Sequence, residues 1–135
     1  MRHPFLTMLF VAAALAVSCG LGEAQYGPHG RFEPRWVNGL IDRVHDNLNR
    51  AYEGFRFAHD DRRRLDRAEH ELREFARQWD RGRFDRGRLH ESIESIRRVV
   101  DRNHMPRRDR DALYANLREL REMREAFDRH EIGRR

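Results

Sequence analysis

The chain of 135 residues contains no lysine, one cysteine and few hydroxyls. Each shortage closes a line of chemistry. Cys19 is the only thiol and falls in the N-terminal leader, where export removes or acylates it. The mature chain then has no disulfide, no cysteine nucleophile and no cysteine-based metal site, whatever the redox state of its compartment. After Ala24 the hydroxyls are Ser92, Ser95 and three tyrosines. Both serines fall on one amphipathic helix beside His90 and Glu91, and a helix face offers no oxyanion hole. There is no glycine-rich phosphate loop and no G-x-S-x-G turn. The sequence therefore argues against an enzyme and calls for no cofactor.

All 28 basic residues are arginine, balanced by 23 acids to a net charge of +5. A genome rich in G and C produces this usage; selection for bidentate anion binding by guanidinium is the functional alternative. Acids and bases are interleaved, the pattern of i,i+4 pairs on helix surfaces. Basic runs stand at Arg62-Arg63-Arg64, Arg97-Arg98, Arg107-Arg108 and Arg134-Arg135. They read as solvated helix ends, or as contacts to an anionic surface such as lipid headgroups or cell-wall polymer, with Arg62, Arg63 and Arg64 the leading candidates.

The N-terminus reads as an address. Arg2 precedes an apolar stretch over 5–17, broken only by Thr7. This is a signal-peptide core, shorter than the roughly 20 residues a transmembrane span needs. Gly22 and Ala24 suit signal peptidase cleavage after Ala24. The alternative is a lipobox at 16–19, with Cys19 lipidated and anchoring the protein in the envelope. The expected divisions are a signal peptide over 1–24, a flexible Gly/Pro leader over 25–33 and a helical domain over 34–133. The product is periplasmic or secreted, touching membrane only through a lipidated Cys19. Export argues against nucleic acid as a partner, despite a pI near 10.5.

The domain is built on helical stripes. Leu65, Ala68, Leu72, Phe75 and Trp79 are spaced 3, 4, 3 and 4. Leu89, Ile93, Ile96 and Val100 follow at 4, 3 and 4, after a turn carrying Gly82, Phe84 and Asp85. Each stripe can bury one narrow face. A first helix opens near Pro34 with Val37, Leu40, Ile41, Val44, Leu48, Ala51, Tyr52 and Phe55 on its stripe, its last turns weakened by Gly54. Asp60 and Asp61 offer an N-cap to a second helix over 61–80, stopped at Gly82. Asp85 caps a third over 86–101, with Phe84 plugging the end of the core. Asn103 is placed to end it in a left-handed conformation before Pro106. A fourth runs over 106–130 on Leu113, Leu117, Leu120 and Phe127, ended by Gly133. Short connections favour an all-α antiparallel four-helix bundle. The alternative is three helices, the first two fused into one long bent rod. Leucine-rich seams could also serve a homodimer.

Two segments have the form HExxE, with His70 and Glu74 in one and His90 and Glu94 in the other. A zinc protease needs a second histidine where these carry glutamate. His70 and Glu74 lie about 160° around the helix from Leu72, so surface ion pairs are the plain reading and a metal site the functional one. Asp42-x-x-His45 and Asp101-x-x-His104 share the spacing of a di-iron motif, but no inward-facing glutamate is expected to join them. A calcium loop at 80–93 fails on ligand spacing in either register.

The segment 105–113, followed by 117–124, loosely resembles a helix of the Spy/CpxP-type periplasmic stress and metal-resistance proteins, without their L-T-x-x-Q motif. With its F-x-R-x-x-x-x-G-x-F-D turn from Phe75 to Asp85, the whole chain looks more like uncharacterised exported helical proteins of environmental bacteria. That likeness implies export and an all-helical fold. The expected function is binding, to a protein partner or an anionic envelope surface; the alternative is a periplasmic metal-binding or metal-stress protein.

Overall fold

The computed structural model describes residues 31–132. Cys19, the cleavage site after Ala24, most of the leader and Gly133 lie outside them. Four helices occupy nearly all of it: α1 (Pro34–Gly54), α2 (His59–Asp80), α3 (Arg86–Arg102) and α4 (Arg107–Asp128). Each helix packs on its neighbours in sequence and α4 closes the ring on α1, with the diagonal helices farther apart. The chain is an antiparallel four-helix bundle.

The predicted stripes form the core. Val37, Leu40, Val44, Leu48, Leu65, Leu72, Phe75, Leu89, Ile93, Ile96, Leu113, Leu117 and Leu120 are buried. Met123 is fully buried too, whereas Tyr114 is turned out to solvent. At roughly 1.5–3 kcal/mol for each large apolar side chain taken from water, these stripes are the main driving force for folding.

The first two helices are separate. Phe55 leaves α1 in an extended conformation, its N–H bonded to the Ala51 carbonyl. The break lets Phe55 and Tyr52 pack edge-on against Phe57, at 4.9 and 5.6 Å between ring centres. Gly54 sits where α1 approaches the start of α4; a β-carbon there would stand 3.4 Å from Asp109 Oδ2.

Several local expectations need correction. Asp60 and Asp61 do not cap α2. The helix begins at His59 after Ala58, with no side-chain cap, and both acids fall inside its first turn, where they favour the positive end of the helix dipole. Asn103 is extended (φ −106°), not left-handed. It ends α3 through its side chain instead, donating to the Val99 carbonyl at 2.7 Å and to Asp61 at 3.0 Å. Helix α4 ends at Asp128, before Gly133. His130 takes the left-handed conformation (φ 62°) that the sequence reading reserves for a glycine. Its N–H bonds to Phe127 O, and that of Glu131 to Ala126 O. Gly82 ends α2 in the same way at φ 75°, as expected.

The α1–α2 seam carries polar rungs at heptad spacing. Asn38, His45 and Tyr52 on α1 face Asp80, Arg73 and Asp66 on α2, at 3.2, 3.0 and 3.0 Å. Seven residues fall only about 20° short of two turns, so the rungs stay on one edge of the core.

Candidate functional site

The α2–α3 turn brings four half-buried or buried aromatic rings to one end of the bundle. Phe84 stacks on Phe127 (3.9 Å, 8°) and meets Phe75 and Trp79 edge-on at 5.2 and 5.6 Å. Trp79 Nε1 donates to Phe32 O at 2.9 Å. Asp85 caps α3 as expected, accepting from the Arg88 N–H at 3.0 Å and from Arg88 Nε at 3.1 Å. That backbone bond, reinforced by the guanidinium, holds the Asp85 carboxyl below its usual range.

On this hydrophobic base lies an open cleft of about 590 Å³, lined by Gln78, Arg83, Phe84, Asp85, Arg86 and Arg88. Arg86 is gripped by both oxygens of Asp128, at 2.6 and 2.9 Å. The bond depresses the Asp128 carboxyl and raises the guanidinium further. Arg88 bridges Asp85 and Glu71. Arg83 has no acidic partner among the described residues.

The interleaving of charge is uneven. Over 81–102, the turn and α3, seven arginines face four acids. The rest of the described chain holds eighteen of each. The whole net charge of the described domain therefore lies on this one element and the turn before it. Arg98 and Arg102, one turn apart, sit about 180° from the Leu89–Ile93 stripe and point to solvent with no acidic partner among the described residues. Counting charge by segment would have found this band; the interleaving hid it.

The triplet Arg62, Arg63 and Arg64 does not form one free surface. Arg62 lies over the Tyr52 ring at 4.8 Å and Arg63 pairs with Asp60 at 3.0 Å. Arg64 is half-buried, with Nη1 enclosed and lacking a partner among the described residues. Consecutive residues on a helix diverge by about 100°, so a run in sequence is not a patch in space.

The HExxE histidines and glutamates make their contacts with other residues rather than with one another. His70 is exposed on α2. Glu74 accepts from Gln78 and from Arg77 Nε, each at 2.9 Å, and these bonds lower its carboxyl to about 2. His90 Nδ1 stands 2.7 Å from Arg124, and Glu94 pairs with Arg97 at 2.6 Å. No group of three histidines and acids able to hold a metal occurs among the described residues.

The expectation that no glutamate faces inward is overturned by Glu69, which is 7% exposed. It sits beside Ala68 at the edge of the stripe, meets His45 Nδ1 at 2.6 Å and pairs with Arg73. Asn49 donates to His45 Nε2 at 2.9 Å. With Arg73 also 3.0 Å from Nδ1, these partners make the ring a bridge between α1 and α2.

Comparison with known protein families, curated proteins and solved structures gives no match.

Proposed function

We propose that the protein is an exported, non-enzymatic helical binding protein that engages an anionic envelope surface through the turn and outer face of α3. The observation that carries this reading is the confinement of the domain's net charge to 81–102. A mixed-charge helical surface is usually neutral on average and screened within about 8 Å at physiological salt. A band with three uncompensated positive charges along a helix some 25 Å long has a field that a neutral patchwork lacks. Each arginine near an anionic membrane contributes about 1 kcal/mol, so contact is weak and salt-sensitive for one copy. No described helix is long and apolar enough to cross a membrane. The non-enzymatic part of the reading rests on the scarcity of nucleophiles in the sequence.

The test is co-sedimentation of the full chain with vesicles containing phosphatidylglycerol, at low and at physiological salt. Association should fall with salt and should weaken in the triple variant Arg83→Gln, Arg98→Gln, Arg102→Gln. The triple variant of Arg62, Arg63 and Arg64 to Gln removes the same formal charge and should weaken it less. Equal loss in both variants, or association insensitive to both, would overturn the assignment to α3.

A further inference from the structure

We infer that the cleft at the α2–α3 turn is a binding site for a single carboxylate carried beside an apolar group. The inference rests on the reading of 81–102 as the anion-binding band, and it names what one end of that band recognises.

The charge inventory selects a monoanion. Three guanidiniums line the cleft. Arg86 is matched by Asp128, and Arg88 by Asp85 and Glu71. Of the three, only Arg83 has no acidic partner among the described residues, so it is the one guanidinium free to meet a ligand anion; with Asp128, Asp85 and Glu71 set against the three arginines, the site has no positive charge to spare for a second negative one. A dianion such as phosphate would bring a second charge with no partner to meet it.

The donors are fixed in advance. A guanidinium has five N–H bonds in a rigid fork. Arg86 uses Nε and Nη2 on Asp128, and Arg88 uses Nε on Asp85 and Nη1 on Glu71. Each keeps N–H groups for a ligand, and each is already immobilised, so binding need not order it. Gln78 is likewise pinned, with Nε2 donating to Glu74 at 2.9 Å. Such donors suit the planar, two-oxygen geometry of a carboxylate.

The volume calls for more than the carboxylate. At about 590 Å³ the cleft falls within the range of small-ligand pockets, and a carboxylate alone would leave most of it to water. The rest of its wall includes Phe84, which is half-buried and locked by its stack on Phe127. An aryl or alkyl group attached to the carboxylate would cover that ring. The same chemistry occurs in a free aromatic acid and at the C-terminus of a peptide ending in an apolar residue.

The experiment is a titration of the ¹⁵N-labelled full chain, following the Gln78 side-chain amide, the Arg86 and Arg88 Nε–H signals and the Trp79 indole N–H. The probes are 3-phenylpropionate, its neutral analogue 3-phenylpropanamide, inorganic phosphate, and the peptide Gly-Gly-Phe with a free or an amidated C-terminus. Saturating shifts with 3-phenylpropionate, none with the amide, and weaker binding of phosphate are expected. Arg83→Gln is at the surface and should leave the spectrum folded while weakening the carboxylate about tenfold, the loss of one charge-assisted contact. Tighter binding of the free peptide than of the small acid would assign a peptide terminus as the source, and the reverse a small acid. No saturation, equal response to acid and amide, tighter binding of phosphate, or an Arg83→Gln chain that binds unchanged would each overturn the site. The double variant Arg98→Gln, Arg102→Gln should lose vesicle association and keep this titration, so the two readings fail separately.

Discussion

His45 on α1 and Glu69 on α2 meet at 2.6 Å across a helix seam, and Glu69 is almost fully enclosed. A carboxylate so placed is tolerable only because His45 and Arg73 both reach it. The pair should show a coupling of about 0.5–1.5 kcal/mol in a double-mutant cycle of His45→Ala and Glu69→Gln, read from urea unfolding. Arg73 keeps the value at the lower end by remaining when His45 is removed. Strict additivity of the two single variants would show that the contact contributes nothing.

The Asp85 cap carries a pH dependence of known sign. Its carboxyl titrates below the ordinary 3.8 because the Arg88 N–H and guanidinium bond the charged form. Its contribution is complete above that value and disappears as pH falls through the lower, folded one. Asp85→Ala should cost about 1 kcal/mol at neutral pH. The difference from the native chain should shrink in acid below pH 3.8. A penalty that stays constant down to pH 2 would exclude the cap as its origin.

Glu74 should behave similarly with little effect on stability, since its bonds lie within one half-exposed helix surface. Its own titration reports the bonds. The side-chain carboxyl carbon should titrate near 2, held there by Gln78 first and Arg77 second. Gln78→Ala should move the midpoint back toward 4.5.

Helices α2 and α4 end in the same left-handed motif, on Gly82 in one case and His130 in the other. A β-carbon in that conformation costs roughly 1 kcal/mol. His130→Gly should therefore raise the melting midpoint by a few degrees, and Gly82→Ala should lower it by a similar amount. A drop on His130→Gly would mean that the imidazole makes a contact worth more than the backbone strain.

Phe84 closes the core at the turn. Phe84→Ala removes one stacked and two edge-on contacts and should destabilise by about 2–4 kcal/mol. Phe84→Leu keeps much of the apolar area and should recover roughly half of that loss.

The sequence by itself determined four helices, their stripes and most of their ends. Leu65 to Trp79 and Leu89 to Val100 repeat at 3 and 4, and that spacing has one solution, an α-helix with one buried face. Gly82 and Asp85 each do what local chemistry requires, because a left-handed stop and a cap depend on a few neighbouring residues, whereas the Phe84 plug also needs Phe127 from the far end of the domain. Asp60 and Asp61 fall inside α2 because the packing of Phe55 and Phe57 sets the boundary ahead of them, and Asn103 stays extended with its side chain held by Val99 O and Asp61.

The tertiary structure alone decided which polar residues meet. His45 and Glu69 are 24 positions apart, and nothing local to either marks the other. Arg86 finds Asp128 across 42 positions, and that contact separates the committed arginines from the free Arg83. Hydrophobic periodicity is a property of one helix. A charge pair depends on the register between two helices and on the χ angles of both side chains, and periodicity encodes neither. The Arg62-Arg63-Arg64 run was visible but misleading, since neighbours in sequence point in different directions on a helix. The cleft is not legible in the spacing of the stripes, because it exists only where the end of α2, the turn and the start of α3 come together.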